Sequence, residues 1–205
     1  AVATLANWNA PEYTDIFDAA EVNFDEKQEL ADTIAGALGR RSDQLVIDAM
    51  DAVTPTTIAH GSAALTMAKV IEAQVALRGQ GVPNSNLFAA VNSAGLGGLL
   101  KDEKATSSDY QSVKALVSGD VNSLAGFQFV VLDDRAEGGL TVTTNTVDSY
   151  FFNREAVGLA IGIDMKTSVD WVAQKTSWLC NGMLKAGSVV RDVDGIVKVE
   201  YKDNV

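Results

Sequence analysis

The sequence is poor in the residues from which catalytic, metal-binding and disulfide-rich sites are usually built. Its 205 residues include one cysteine, Cys180, and one histidine, His60. A single cysteine excludes an internal disulfide framework, and a single histidine excludes any metal site that needs two imidazoles. His60 remains one possible base for a serine or cysteine nucleophile. Because it lies between a Thr/Pro turn and a helix start, a loop histidine is the simpler interpretation.

Basic residues and long apolar runs are also scarce. Sixteen Lys and Arg residues against 27 Asp and Glu residues give a formal net charge of −11, and the longest basic run is the pair Arg40-Arg41. Such a surface repels polyphosphate, so sequence-specific binding to nucleic acid is not expected. Polar residues interrupt every apolar stretch before it reaches the roughly 20 residues of a membrane-spanning helix. We therefore expect no membrane partner.

What the chain does contain is an α+β order of elements. Hydrophobic residues make up 47% of the sequence, enough for one sizeable domain or two small ones that share a core. Helical periodicity predicts a long helix from Asp25 to about Met50, because leucine and isoleucine recur there at intervals of three, four or seven. The other predicted helices are 61–78, 110–117 and a short one at 154–162 capped by Asn153. Strands are predicted at 87–91 and from Phe127 onward, with a hairpin turn at 192–195.

A glycine cluster at 86–100, NLFAAVNSAGLGGLL, has the strand, glycine and helix order of a dinucleotide-binding loop. The match fails at its sixth position, which is Leu100, and no acidic residue follows at the expected spacing. We therefore expect no cofactor. Gly95, Gly97 and Gly98 are instead predicted to form a tight turn from strand to helix, so that Gly97→Val should disturb folding or assembly.

Other candidate chemical groups have simple structural interpretations. Asp133 and Asp134 could form a carboxylate pair, but adjacent residues on a strand point to opposite faces, and a solvated turn is favoured. Cys180 lies in an apolar strand and is predicted to be a small buried hydrophobe. Trp171 and Trp178 are interpreted as packing residues. A soluble α+β enzyme that uses Asp133, Asp134 or His60 remains the rival function from another class.

Three stretches of the chain carry a family resemblance. They are FDEKQELADTIAGALGRRSDQLVIDAM, SSDYQSVKALVSGDVNSLAGFQFVVLDD and YFFNREAVGLAIGIDMKTSVDWVAQKTSWLCNGMLKAGSVVRDVDGIVKVE. In this order they resemble the major capsid proteins of tailed bacteriophages, which have the Hong Kong 97-like fold. The resemblance covers nearly the whole chain, and its most telling part is the segment from the tyrosine to GFQFVV followed by REAVGLAIG.

The resemblance implies a domain organisation. Residues 1–24 would be the C-terminal part of an extended E-loop, and 25–59 the spine helix of the peripheral domain with the turn after it. Residues 60–147 would form the axial domain, and 148–205 would be strands that return to the peripheral domain. In the family an N-terminal arm and the first half of the E-loop precede the spine helix, so sequence upstream of Ala1 is expected.

The resemblance also implies a function without catalysis, cofactor or metal. Copies of the chain would assemble through hexamers and pentamers into an icosahedral shell around double-stranded DNA, in the host cytoplasm, and reside in the virion. Portal, scaffolding and decoration proteins would be further partners, and an encapsulin-like protein compartment is the alternative within the same fold. The residues predicted to lie at subunit contacts are Trp8, Tyr13, Phe17, Arg40, Arg41, Asp133 and Arg135, together with the apolar face of the 25–51 helix.

Overall fold

The computed structural model describes residues 1–15, 17, 21, 23, 25–102, 124–132 and 135–203. Within these ranges the chain divides into two compact units. The larger unit contains residues 1, 47–102, 124–132, 135–158 and 190–203, and the smaller unit contains 2–15, 17, 21, 23, 25–46 and 159–189. The helices of the described ranges are α1 (Glu26–Asp51), α2 (Met67–Gly79) and α3 (Ser93–Lys101). None of them is long and apolar enough to cross a membrane.

The strands fall into two sheets. Their bounds are β1 (Ala6–Asp15), β2 (Thr56–Ile58), β3 (Leu87–Asn92), β4 (Phe127–Leu132), β5 (Val142–Thr143), β6 (Thr146–Asn153), β7 (Val157–Val172), β8 (Ser177–Val190) and β9 (Ile196–Lys202). The larger unit holds a sheet in the order β2-β9-β6-β3-β4, with β5 paired to β6. β2 with β9 and β3 with β4 are parallel, whereas β6 is antiparallel to both β3 and β9.

The core of the larger unit lies against this sheet. β3 is apolar along almost its whole length, as expected of a strand with both faces covered. Phe151 of β6 is fully buried and meets the ring of Phe127 edge-on at 5.0 Å between centroids. Other large side chains with almost no exposure in this unit include Tyr150, Tyr201, Met50, Leu65, Leu77, Leu99, Ile196, Val70, Val91 and Val147.

The smaller unit pairs a three-stranded sheet, in the order β1-β8-β7, with residues 26–46 of α1. β1 and β8 are antiparallel from Ala6 opposite Ala186 to Asp15 opposite Ser177. Ile34 and Leu38 of α1 are buried against one face of this sheet with Cys180, Leu184 and Ala186. A Cβ at Gly182 would collide with Ile34, so the close packing of helix on strand requires glycine there. The apolar face of α1 thus contributes Ile34 and Leu38 to packing within the smaller unit, and its role at contacts between subunits stays a prediction.

Several sequence predictions are confirmed. The long helix begins after Asp25, whose carboxylate accepts a hydrogen bond from the Lys27 amide at 3.2 Å, and it ends at Asp51. The strand predicted at 87–91 is β3, and the order of elements is α+β. The predicted helix at 61–78 starts later, at Met67. The predicted helix at 110–117 lies outside the described residues.

Three local predictions are wrong. Residues 154–162 are not a helix: Asn153 does cap a 3-10 turn at Arg154–Ala156, but β7 follows it, because apolar residues alternate from Val157 onward in the pattern of a strand. The turn at 192–195 does not close a hairpin, since β8 and β9 belong to different sheets. The glycine cluster is not a turn either, because α3 starts at Ser93 and contains all three glycines.

Candidate assembly surfaces

The arm strand β1 places two of the predicted contact residues against each other. The guanidinium of Arg41 lies 4.0 Å from the ring centroid of Trp8, a cation–π arrangement. Trp8 is also packed against the buried cluster under α1. Both side chains therefore contribute first to packing within the smaller unit, and their role at a subunit contact stays a prediction.

The remaining predicted contact residues are more open. Tyr13 is 43% exposed, and the ammonium of Lys175 lies 3.8 Å from its ring centroid. Phe17 is 69% exposed, which is unusual for a phenylalanine and makes it the most exposed aromatic side chain in the described part of the arm. Arg40 is half-buried and Arg135 is exposed. Asp133, like Asp134, lies outside the described residues.

The glycine-containing helix α3 is closed at its N-terminus by protein groups. The side-chain oxygen of Asn92 caps the helix by accepting a hydrogen bond from the Gly95 amide at 2.8 Å. The same oxygen accepts the hydroxyl of Tyr201 at 2.6 Å, and both Asn92 and Tyr201 are fully buried. An anion bound at this helix N-terminus would need the Gly95 amide as a donor, but that amide already donates to Asn92. The arrangement is therefore a structural cap.

The three glycines of α3 differ in what surrounds them. A Cβ at Gly95 would lie 2.5 Å from the Tyr201 hydroxyl oxygen, and one at Gly98 would lie 2.9 Å from the carbonyl oxygen of Leu65. A Cβ at Gly97 would meet no atom within 4 Å. The packing requirement that the sequence analysis placed at Gly97 therefore falls on Gly95 and Gly98.

A cluster of ionisable groups surrounds the end of α1 in the larger unit. Tyr150 donates its hydroxyl to Asp51, and Thr141 donates to the other oxygen of that carboxylate at 2.7 Å. Burial, together with the hydrogen bond and the charge of Asp51, raises the pKa of Tyr150 well above its ordinary value. Lys198 contacts Asp148 at 2.6 Å. Burial alone would lower the pKa of Lys198, but the hydrogen bond and negative charge of Asp148 outweigh it and raise that pKa. These pairings stabilise the fold and leave no activated nucleophile.

Two other groups of chemical interest also have structural roles. Lys69 donates to the carbonyl oxygens of His60, Ala63 and Glu200, at 2.7, 3.2 and 3.1 Å, which ties the loop before α2 to β9. Its burial lowers the pKa of the Lys69 ammonium. His60 accepts the Ser62 amide on Nδ1 at 2.9 Å, as a loop histidine that closes a turn. In the described ranges no three His, Cys, Asp or Glu side chains gather as a metal site would require.

Cys180 is buried in the smaller unit, as predicted. Burial raises the pKa of its thiol, which disfavours the thiolate that nucleophilic chemistry requires. Nearby, Trp171 and Trp178 meet edge-on at 5.2 Å, and the ammonium of Lys27 lies 3.8 Å from the ring centroid of Trp178. Their interpretation as packing residues is confirmed.

Strand β7 carries a surface that the sequence analysis missed. Large apolar side chains occupy alternate positions along it and are all substantially exposed: Leu159, Ile161, Ile163, Met165, Val169 and Trp171. The signal was present in the sequence as a period of two residues. The short helix predicted at 154–162 covers the first part of this alternation.

Comparison with known proteins bears on the whole chain. Residues 1–203 match a family model described as phage capsid protein. A search of curated protein sequences finds no match.

Solved structures with a similar fold come from several sources. One from Mycobacterium phage Che8 is 20% identical with a TM-score of 0.74, over 95% of this chain and 70% of that one. The acid-stable capsid of Helicobacter pylori bacteriophage KHP30 is 9% identical with a TM-score of 0.79, and the match covers 98% of this chain and 76% of that one. A virus-like particle from Pyrococcus furiosus is 12% identical with a TM-score of 0.68, and the match covers 95% of this chain and 76% of that one. At these identities the likeness establishes a shared fold.

Proposed function

The chain belongs to the phage capsid protein family, and we propose that its copies assemble through hexamers and pentamers around double-stranded DNA. It is a major capsid protein with an α+β, Hong Kong 97-like fold, a structural subunit of an icosahedral shell and a component of the virion. The single observation that carries this function is the family match across residues 1–203.

The chemistry of the described residues supports a mechanical role and no catalysis. The lone histidine closes a turn, and the lone cysteine is buried with a raised thiol pKa. The glycine-containing helix is capped by Asn92 and sealed by Tyr201. Within the described part of the chain, these groups are thus engaged in holding the subunit together.

A division of labour between the two units is part of the proposal. We propose that residues 26–46 of α1 and the three-stranded sheet of the smaller unit belong to the peripheral domain, and that the larger unit contains the axial domain, whose tips would meet at five- and six-fold axes. Residues 1–24 would form the end of the E-loop, 25–59 the spine helix and its turn, and 60–147 the axial domain. The strands of 148–205 divide between the two compact units, with 159–189 in the smaller one.

The interior is proposed to hold DNA without sequence-specific contacts. A net charge of −11 disfavours tight binding to phosphate, which suits a container that must fill and later empty. Shell closure needs heterologous edges on each subunit, because head-to-tail contacts generate rings. Assembly in the host cytoplasm, with portal, scaffolding and decoration proteins as further partners, completes the proposal.

Particle size and content test the proposal. Light scattering and negative-stain microscopy of the purified protein should show closed particles or capsomers, and particles from a producing host should contain nuclease-protected double-stranded DNA. A monodisperse monomer of 21.6 kDa with catalytic turnover would contradict the capsid function and favour the enzyme built on Asp133, Asp134 or His60. Particles that contain protein cargo and no DNA would favour an encapsulin-like compartment.

A further inference from the structure

One face of β7 carries exposed apolar side chains along most of its length. We name it the β7 strip: Leu159, Ile161, Ile163, Met165, Thr167, Val169 and Trp171, the odd-numbered positions of the strand. Successive side chains of a strand point to opposite faces, so these seven positions share one face. Their six large apolar side chains are between 40% and 54% exposed. No position of the strip carries a formal charge.

The strip lies on the same side of the sheet as α1. The ring of Trp171 meets that of Trp178, which in turn faces Lys27 of α1. On this side α1 buries β8 through Cys180 and Leu184, but it leaves β7 exposed. The apolar surface that forms the core under α1 thus continues onto β7 without a cover.

The opposite face of β7 is different in character. Its even-numbered positions include Asp164, Lys166 and Asp170. At Gly162 this face lies against the chain's own N-terminal segment, since a Cβ there would come within 2.8 Å of the Leu5 side chain. The residues just before β1 therefore contact this polar face near Gly162, leave Asp164, Lys166 and Asp170 exposed, and are not placed to cover the strip.

The size of the strip fits a protein contact. If a fully exposed large apolar residue presents about 200 Å², the strip presents about 500 Å², which is close to the largest apolar patch of a typical monomer and more than half of the roughly 800 Å² that each partner contributes to a standard interface. β7 is also an edge strand, and a long, apolar edge strand left open favours aggregation. A partner that covers the apolar side chains of such a strand protects it from aggregation.

We propose that the β7 strip is a contact surface for a second copy of this chain in the assembled shell. This inference rests on the proposed function, because a shell supplies identical copies as the most abundant neighbours. The net charge of the chain also supports a second copy as the partner of the strip. Two copies that each carry −11 repel one another, so their contacts are most favourable where the facing surface is uncharged, as the strip is. The lack of any basic residue in the strip argues against nucleic acid or an anionic lipid surface there.

Cysteine labelling tests this occupant directly. Ile163→Cys places a thiol in the strip, and Lys166→Cys places one on the opposite face of the same strand as a matched control, while Cys180 is buried. A bulky maleimide should label Ile163→Cys at least tenfold more slowly in assembled particles than in dissociated subunits, and Lys166→Cys at similar rates in both. Equal rates at Ile163→Cys would overturn the inference. Protection in both states would also overturn it, because a segment of the same chain would then cover the strip.

An assembly assay separates this inference from the proposed function. Ile163→Asp and Lys166→Gln each lower the net charge by one, but only the first puts a charge in the strip. We expect Ile163→Asp to reduce particle yield at least tenfold while leaving the melting temperature of dissociated subunits within a few degrees of the wild type, and Lys166→Gln to assemble normally. Wild-type particles with normal assembly of Ile163→Asp would refute the inference alone. A wild type that forms no particles would refute the proposed function and the inference with it.

Discussion

The two sheets of this protein differ in how far their apolar side chains are exposed. In the larger unit β6 is flanked by strands on both sides and almost every residue is buried or half-buried, including Ser149, which donates to the Val199 carbonyl at 2.8 Å. In the smaller unit β7 is an edge strand, and its apolar side chains are exposed along most of its 16 residues. The difference separates residues that hold the subunit together from residues that are available to hold subunits to one another.

The polar groups of the two units support the same distinction. In the larger unit the fully buried Asn92 is paired with the Gly95 amide and the Tyr201 hydroxyl. A buried polar network that is fully hydrogen-bonded specifies one packing of the core. Substitutions in the larger unit should therefore change the stability of the subunit, whereas substitutions on the β7 strip should change assembly.

Truncating one aromatic residue in each unit gives the largest expected contrast. Phe151→Ala removes a fully buried ring from between Phe127 and Phe129 and should cost about 3–5 kcal/mol of unfolding free energy. Trp171→Ala removes a ring that is 41% exposed and should cost about 1 kcal/mol through its contact with Trp178. Urea unfolding of dissociated subunits measures both. Similar losses at the two positions would remove the distinction between the units.

Alanine substitutions in α3 sharpen the comparison within the larger unit. Gly95→Ala forces a Cβ to within 2.5 Å of the Tyr201 hydroxyl oxygen and should destabilise the subunit by about 1–3 kcal/mol. Gly97→Ala meets no neighbour and should be neutral or stabilising by up to about 1 kcal/mol, because alanine is the better helix former. Thermal unfolding followed by circular dichroism distinguishes them. A larger loss at Gly97 than at Gly95 would show that the glycines form a turn, as the sequence first indicated.

Removing one hydroxyl from the buried cap should have a smaller effect. Tyr201→Phe removes the hydroxyl that donates to the Asn92 side-chain oxygen and accepts from the Asn92 backbone amide. We expect the unfolding free energy to fall by about 1–2 kcal/mol. Tyr13→Phe is the matched control in the other unit, where the ring is 43% exposed and should tolerate the change. The same urea titration measures both variants, and equal values would argue against the cap as a stabilising feature.

The response to alkali should be the smallest effect. The pKa values of Tyr150 and Lys198 are both raised in the folded state. The stability that each contributes is complete below its unfolded-state pKa, about 10 for tyrosine and about 10.4 for lysine, and is lost as the pH rises through the higher folded-state value. The melting temperature should therefore fall above about pH 10, and less steeply in Tyr150→Phe than in the wild type. Identical pH profiles would show that Tyr150 does not contribute.

Sequence reasoning predicted the elements whose signal is local. The capped start of α1 after Asp25 and the apolar run of β3 follow from periodicity and residue type alone. Between Arg154 and Gly162 a cap and a helix-compatible composition gave the wrong element, because pairing with β8 extends residues that short-range propensity leaves undecided. The need for glycine at position 95 depends on Tyr201, which is 106 positions away in the chain, and no local pattern could reveal it.

The site predictions followed the same rule. Tyr13 and Phe17 could be chosen as contact residues because they are bulky residues in an extended arm; both are exposed in the structure, and their role at subunit contacts stays a prediction. The pairing of Trp8 with Arg41 and the burial of the helix face required the tertiary structure. The β7 strip was readable as alternation, but only once that segment was recognised as a strand.

Amide hydrogen exchange, compared between assembled particles and dissociated subunits, tests most directly whether the two units serve different purposes. Assembly should add protection along 159–171 of β7, where a second copy covers the β7 strip. It should leave β6 and β9 nearly unchanged, because they are already paired within the subunit. New protection confined to β6 and β9, with β7 exchanging equally fast in particles and in free subunits, would contradict the division between a region that stabilises the subunit and a region that joins subunits into a shell.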